Sequence, residues 1–206
     1  MILEKDTSPQ LFLVKNKFFE TIRCVDGKVL YLPYHQQRYE GVLKFLGVSK
    51  SKQLQHYLSP PKKGLYKCRV VYSKDDIEVS YQPYVKRNIK SLKIIHDDSI
   101  EYFHKYLDRS QIEKLFLHRE DCDDILIVKN GLLTDTSIAN LALYKDGMWF
   151  TPTKPLLRGT TRERLLDEGI LQEKNIHQSE LYQFSKFALL NAMIGFDIIS
   201  QIEFVE

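Results

Sequence analysis

The first part of the chain alternates short apolar, β-favouring runs with turn residues. Runs of this kind, bounded by pairs such as Asp-Gly or Asp-Asp, are typical of β-strands joined in hairpins. Between the runs, apolar residues at helical spacing predict one helix that begins at Pro33 and ends near Gly47. The runs that we predict as strands are Leu11–Val14, Phe18–Cys24, Lys28–Leu32, Tyr66–Tyr72 and Ile77–Tyr84.

The second part has the same strand pattern with two helices inserted. We predict one helix from Arg109 to about His118, with Asp108 as N-cap and Gln111 completing a capping box. A second helix is predicted from Thr160 to Asp167, ending near Gly169. The predicted strand runs are Leu92–Ile95, Ile125–Val128, Leu132–Thr134, Trp149-Phe150, Phe187–Leu190 and Ile198–Phe204. The Asn130-Gly131 turn lies between the second and third runs, and the Asp146-Gly147 turn precedes the fourth.

The two parts meet at a basic segment, Val85–Lys90, that has little apolar pattern. We interpret it as a linker between two lobes and predict an α+β, mixed α/β fold. The domains would cover residues 1–86, a smaller N-terminal α/β domain, and residues 91–206, with the linker at about 87–90.

Composition excludes several classes of protein. The chain has 206 residues, 43% of them hydrophobic, and a formal net charge of only +3, which predicts no nucleic-acid groove. No apolar run approaches the roughly 18 residues that cross a bilayer, and the N-terminus lacks the apolar core of a signal peptide. The odd, widely spaced cysteines, Cys24, Cys68 and Cys122, are typical of reduced thiols in a cytoplasmic protein.

A glycine followed by two threonines marks a passage from strand to helix. Gly159 allows a tight turn, and Thr160 and Thr161 then place free amides and hydroxyls in the first helical turn. Such a terminus binds anions through its unpaired N–H groups and its dipole. The alternative is that one threonine only caps the helix.

Lys105 lies among aromatic residues just before the helix predicted at Arg109. Burial against such neighbours would lower the pKa of its amine and make the amine a better nucleophile. The alternative is an ordinary surface lysine, one of 30 lysines and arginines in the chain.

Three further groups have competing interpretations. Asp135, after the Asn130-Gly131 turn, is either a turn carboxylate or part of a site. His35 and Arg38 stand at neighbouring helix positions, which alone is typical of an exposed face. The acidic stretch 120–124 lacks the glycine and spacing of a calcium loop, so we predict a solvated loop and no metal site.

In order, these segments resemble the motifs of the fold-type IV pyridoxal-phosphate enzymes, the family of class IV aminotransferases and aminodeoxychorismate lyases. The resemblance runs from about Phe18 to Ile194, and its specificity comes from the order and separation of the motifs. The matching segments are Phe19-Glu20-Thr21-Ile22 with Asp26-Gly27, His35-x-x-Arg38, Lys105 with Tyr106-Leu107-Asp108-Arg109, Thr134–Leu141, Gly159-Thr160-Thr161-Arg162 and Asn191-Ala192-Met193.

The resemblance implies a two-domain fold like that of D-amino-acid aminotransferase, with pyridoxal 5'-phosphate between the domains and a homodimer that completes the site. Lys105 would carry the cofactor as a Schiff base and move the proton in catalysis. Asp135 would keep the ring nitrogen protonated, and Arg38 would bind the phosphate. The residues that the resemblance assigns to the cofactor are Arg38, Asp135, Asn140, Thr160, Thr161 and Ala192.

The chain also departs from the family pattern. The N-terminal domain is shortened, because the stretch that usually precedes the first motif is nearly absent. Asp135 stands where the family has glutamate, so the backbone must approach the ring more closely. Ser110 stands where branched-chain enzymes have a tyrosine, which argues against a branched-chain transaminase.

The Lys-x-Leu-x-Arg pattern from Lys105 to Arg109 favours aminodeoxychorismate lyase, which eliminates pyruvate from 4-amino-4-deoxychorismate and leaves 4-aminobenzoate for folate synthesis. Arg69 and Arg158 are the candidates for binding the carboxylates of this small substrate. One alternative is a class IV aminotransferase acting on a small branched-chain or D-amino acid. Another is a non-catalytic metabolite-binding protein that retains the fold, although such a protein has no need of the Lys105 amine.

Overall fold

The computed structural model describes residues 17–206, and the strand predicted at Leu11–Val14 lies outside this range. The described part is a mixed α/β structure with two β-sheets and few helices. Its α-helices are α1 (Leu32–Phe45), α2 (Ser110–Leu117) and α3 (Thr160–Asp167), with 3-10 turns at Leu54–Tyr57 and Gln178–Gln183. Among residues 17–206, none of these helices has the length and apolarity to cross a membrane.

The first sheet has four strands in the order β2-β1-β3-β4, all antiparallel. Helix α1 covers one face, because its apolar side chains Tyr39, Val42 and Leu43 pack against buried residues of β1 and β3 such as Ile22 and Val70. The strands are β1 (Phe18–Val25), β2 (Lys28–Val29), β3 (Leu65–Tyr72) and β4 (Ile77–Pro83).

The second sheet has nine strands and the larger core. Its path is β10-β9-β8-β7-β6-β5-β13, and β11 pairs with both β8 and β12. The first five residues of β6 and the first four of β8 are buried, and both strands lie in the interior of the sheet. The strands are β5 (Ser91–His96), β6 (Asp124–Lys129), β7 (Leu132–Thr136), β8 (Asn140–Lys145), β9 (Met148–Pro152), β10 (Leu171–Lys174), β11 (Lys186–Asn191), β12 (Gly195–Ile199) and β13 (Glu203–Val205).

The segment around Lys105 connects the two sheets. The backbone N–H of Phe19, in β1, donates to the carbonyl of Lys105 at 2.9 Å, and the N–H of Leu107 donates to the carbonyl of Lys17 at 2.8 Å. The rings of Phe18 and Tyr106 also contact each other, with centroids 5.0 Å apart. A segment that is distant in sequence is thereby fixed against the first strand of the other sheet.

Most predicted elements are confirmed. The Asn130-Gly131 turn joins β6 to β7 with φ of 51° and 74°, the left-handed pair that a two-residue hairpin requires. Helix α3 has the predicted bounds. The three cysteines are buried free thiols.

Three predicted elements are wrong in part. The strand predicted at Lys28–Leu32 ends at Val29, because Tyr31 takes a left-handed φ of 53° and α1 begins at Leu32. The run predicted at Ile198–Phe204 is divided between β12 and β13.

The third error is the capping box of α2. The helix begins at Ser110 with Arg109 at its N-cap and no side-chain cap bond. Asp108 lies one position earlier, where its carboxylate accepts the N–H of Ser110 at 2.9 Å. Gln111 is engaged elsewhere, since its side-chain oxygen accepts the N–H of Glu101 at 3.4 Å.

Two surface predictions are also wrong. Asp124, expected in a solvated loop, is fully buried, and its Oδ1 accepts the N–H of Ile125. His35, expected on an exposed helix face, is only 1% exposed because it pairs with a buried carboxylate. The described residues contain no His, Cys, Asp and Glu cluster that could hold a metal ion.

Candidate active site

A cavity of about 430 Å³ lies between the two sheets and takes its wall from both. Phe19 and Thr21 of β1 and Lys67 and Arg69 of β3 line one side. The other side consists of residues 135–140, the turn before α3 and the residues that follow β11. A cavity of this size between two structural layers is typical of a small-molecule site.

Lys105 contributes the reactive amine of the cavity. Its Nζ lies 4.6 Å from the centre of the Phe19 ring, and the guanidinium carbon of Arg69 lies 4.1 Å from the same ring. Burial, followed by the positive charge of Arg38, lowers the pKa of Lys105 to about 7. The amine is therefore substantially neutral at neutral pH, which is the form that attacks a carbonyl carbon.

Asp135 presents a fixed carboxylate to the same cavity. It lies in β7 and is 5% exposed. Its Oδ1 accepts a hydrogen bond from the Asn140 side chain at 2.7 Å, and its Oδ2 accepts the N–H of Leu157 at 2.9 Å. Burial raises the pKa of Asp135 to about 7, although these hydrogen bonds oppose the shift. A cationic ligand would therefore stabilise its ionised form.

The N-terminus of α3 points an uncapped helix end at the cavity. Gly159 is the N-cap, and no side chain caps the helix. The first N–H groups of a helix have no partner within it, so those of Thr160 and Thr161 are available to an anion. Gly159 and Thr160 line the cavity, whereas Thr161 is buried behind the wall.

Gly159, at this helix end, lets the backbone approach the Asn140 side chain closely. A Cβ at position 159 would overlap the side-chain oxygen of Asn140. Asn140 in turn donates from its side-chain nitrogen to Asp135 and to the carbonyl of Leu157, both at 2.7 Å. The carboxylate and the helix end are thus held together through one asparagine.

Glu20, His35 and Arg38 form a buried network beside the cavity. Glu20 is fully buried and accepts hydrogen bonds from Arg38 Nε at 2.8 Å and Arg38 Nη2 at 2.5 Å. The His35 ring lies 2.6 Å from the same carboxylate. Burial alone would raise the pKa of Glu20, but the charge of Arg38 and the bonds from both partners lower it to about 2.

The structure brings most of the sequence-predicted site residues together. Those that line the cavity are Arg38, Arg69, Lys105, Asp135, Asn140, Thr160 and Ala192. The loop of Ala192 is held by Asn191, whose side-chain oxygen accepts the N–H groups of Met193 and Ile194 at 2.9 and 3.0 Å.

Arg158 is not brought to the cavity wall. Its side chain is exposed, and only its carbonyl takes part, accepting a hydrogen bond from Arg38 Nη1 at 3.4 Å. Arg158 directly precedes Gly159, the N-cap of α3, and its exposure means that its side chain faces solvent.

Sequence reasoning missed Glu20 and Arg109. Both stand inside the motifs that carry the resemblance, but neither was given a role. Arg109 lines the cavity and donates from Nη2 to the carbonyl of Ser137 at 2.5 Å. The Lys-x-Leu-x-Arg motif was the available signal, because it contains both Lys105 and Arg109, which line the same cavity.

Known proteins resemble this chain over most of its length. The family model for amino-transferase class IV matches residues 17–202. An uncharacterised protein of Haemophilus influenzae is 39% identical over 183 residues, which cover 86% of this chain and 97% of that protein.

Two relatives have a provisional assignment to one reaction. A crystal structure of a protein from Haemophilus somnus, provisionally assigned as a 4-amino-4-deoxychorismate lyase, is similar with a TM-score of 0.80 and 35% identity, covering 88% of this chain and 98% of that chain. A Schizosaccharomyces pombe protein, provisionally assigned as an aminodeoxychorismate lyase, is 26% identical over 81% of this chain and 83% of its own length.

Proposed function

Because the chain belongs to the amino-transferase class IV family of pyridoxal-phosphate enzymes, we propose that it is a lyase that converts 4-amino-4-deoxychorismate into 4-aminobenzoate and pyruvate. The observation that carries the proposal is the cavity in which the Lys105 amine and the Asp135 carboxylate share a wall rich in arginine. The provisional assignments of the two relatives support this choice of reaction. Its product would serve folate synthesis.

The chemistry of the donor groups fits pyridoxal phosphate. Lys105 offers the amine for its aldehyde, and Asp135 offers a carboxylate for its ring nitrogen, held in place by Asn140. Arg38 and the α3 N-terminus, through Thr160 at the cavity wall and the backbone N–H of the buried Thr161, offer a phosphate site, and Ala192 also lines the cavity. When bound, the cofactor withdraws electrons from the carbon that bears the substrate amine, so the proton on that carbon becomes removable.

Lys105 is the proposed general base and acid. Its pKa of about 7 lets Nζ accept a proton and release it again near neutral pH. We propose that Nζ removes the proton from the carbon that bears the substrate amine. The C–O bond between the substrate ring and the enolpyruvyl group then breaks, and the substrate ring becomes aromatic. Nζ returns the proton to the methylene carbon of the leaving group, which becomes pyruvate.

Lys105→Ala tests this assignment. We expect the purified protein to form a borohydride-reducible covalent adduct with pyridoxal phosphate, detected by mass, and the variant to form none. Formation of 4-aminobenzoate from 4-amino-4-deoxychorismate should fall by about 10³-fold or more, because both the attachment point and the proton carrier are lost. Lys114→Ala, an exposed lysine of α2, is the matched control.

Other outcomes of the same experiment point to the alternatives. If amino acids convert the cofactor to its amine form while deoxychorismate yields no 4-aminobenzoate, the chain is an aminotransferase. If the protein is colourless after saturation with pyridoxal phosphate and removal of the unbound cofactor, the proposal of an enzyme fails and a metabolite-binding protein is favoured.

We also propose that the chain acts as a homodimer with domains at residues 1–86 and 91–206 and a linker at about 87–90. Exposed aromatic side chains beside the site support the dimer. Phe45 is 63% and Phe103 65% exposed, and the Phe45 ring lies 4.6 Å from the ring of His104, next to Lys105. Large apolar groups grouped at a surface commonly mark an interface.

A further inference from the structure

The cavity wall has a large excess of positive charge. One acidic residue, Asp135, lines it, against six basic residues: Arg38, Lys67, Arg69, Arg87, Lys105 and Arg109. Arg38 is already paired with Glu20, and Lys105 is the reactive amine. A ligand that carries more negative charge than one phosphate group would balance the remaining cations.

Arg69 and Arg109 are the unpaired cations of the inner wall. Within residues 17–206, neither forms an ion pair with a carboxylate. Arg109 donates one hydrogen bond, to the carbonyl of Ser137, and its Nε is buried without a partner. Burial and the charge of Arg109 both lower the pKa of Arg69, so the two guanidinium groups repel each other. An anion bound between the two guanidinium groups would offset this repulsion.

The position of Arg69 relative to the amine limits where such an anion would be bound. Arg69 and Lys105 both contact the Phe19 ring, at 4.1 and 4.6 Å. A carboxylate bound by Arg69 therefore lies within a few bonds of the group that reacts with Lys105. Lys67 and the exposed Arg87 also line the cavity, so they offer a second place for a carboxylate, and a ligand with two carboxylates can use this place and the Arg69 and Arg109 pair together.

We infer that Arg109, together with Arg69, forms a carboxylate subsite that selects amine substrates carrying two carboxylates over those carrying one. The inference rests on the proposed function and deepens it, because it names the substrate class and assigns to Arg109 the role that sequence reasoning gave to Arg158. A guanidinium has the planar donor pair that matches a carboxylate, so Arg109 is a specificity-determining residue of the site.

The test compares two unreactive ring acids on the protein loaded with pyridoxal phosphate. Isophthalate carries two carboxylates and benzoate one, and neither has an amine. We expect calorimetry to give wild-type protein a preference for isophthalate of about 10-fold or more, the usual worth of one added charge-assisted hydrogen bond. Arg109→Met and Arg69→Met should each reduce this preference to about threefold or less.

Arg119→Met is the matched control, because Arg119 packs on Phe116 at 4.3 Å and lies off the cavity wall. It should keep the wild-type preference, and Arg109→Lys should retain part of it. Equal binding of the two acids by wild-type protein, or an undiminished preference in folded Arg109→Met and Arg69→Met, overturns the inference. If no 4-aminobenzoate is formed but the preference holds, the proposed reaction fails and the subsite stands.

Discussion

Single residues decide how Arg38, the proposed phosphate-binding arginine, is oriented. Glu20 occupies the Nε and Nη2 edge of Arg38, which leaves Nη1 directed to the carbonyl of Arg158 at the start of α3. His35 occupies the remaining side of the Glu20 carboxylate. Glu20 is therefore a positioning residue: it fixes Arg38 without touching the cavity.

Glu20→Gln should destabilise the protein by about 3–5 kcal/mol at pH 7, because it leaves the Arg38 charge without its buried partner. The pKa of Glu20 falls from 4.5 to about 2 on folding. Its contribution is thus present above pH 4.5 and is lost as the pH falls toward 2. The stability difference between wild type and variant should shrink over that window.

Urea unfolding at several pH values measures this difference. Glu78→Gln, an exposed glutamate of β4 in the same sheet, is the matched control and should change stability by less than about 0.5 kcal/mol. Equal stability of the two variants at pH 7 would show that the Glu20 network contributes nothing.

The sequence predicted some of these residues and not others, for a physical reason. The resemblance assigns a role to Lys105 and to Asp135, whereas it assigns none to Glu20, which also stands in a matching motif. Glu20 and His35 are 15 residues apart and come together only when α1 packs on β1. Pairing across that distance leaves no periodic signal, so an isolated histidine on a helix was interpreted as exposed.

At the scale of elements, turn residues gave the reliable predictions. Asn130-Gly131 and Asp146-Gly147 all have positive φ and join adjacent strands of the second sheet. Helix starts were harder, because a cap depends on which residue first takes helical angles. At α2 the bulky Arg109 took the N-cap that Asp108 was expected to fill.

Gly159→Ala probes the proposed phosphate site at the start of α3. The added methyl would overlap the Asn140 side chain, which must then move and weaken its hold on Asp135. We expect the dissociation constant for pyridoxal phosphate, measured by fluorescence titration, to rise about 10-fold or more, as for loss of one or two charge-assisted bonds.

Gly41→Ala is the control, since a Cβ at Gly41 in α1 meets nothing within 4 Å. This variant should bind the cofactor normally and gain about 0.5–1 kcal/mol of stability. Unchanged affinity in Gly159→Ala would mean that the phosphate is bound elsewhere.

At the scale of the whole molecule, the class of fold was predictable and the strand order was not. Alternating runs and short helices indicated a mixed α/β chain. Nothing local indicated that β11 pairs with β8, or that β13 lies parallel to β5 at an edge. Those pairings join residues more than 40 positions apart, and packing in three dimensions selects them.

The proposed homodimer is tested by light scattering after gel filtration. We expect a mass close to twice the 24.3 kDa of one chain. Phe103→Glu should shift the protein toward monomer, because it places a charge in an apolar contact. Leu117→Glu, also an exposed apolar residue, at 75%, is the control for added charge. A wild-type mass of one chain would rule out the dimer.

The backbone bonds between the Lys105 segment and β1 have a consequence for motion. Because Phe19 and Leu107 tie these segments together, the halves of the molecule cannot separate along that line without displacing the amine. Any opening of the cleft must therefore rotate about the line of these backbone hydrogen bonds. The cleft would open on the side of Tyr84 and Arg87. Substrates would enter and products would leave there, where basic side chains are exposed to solvent.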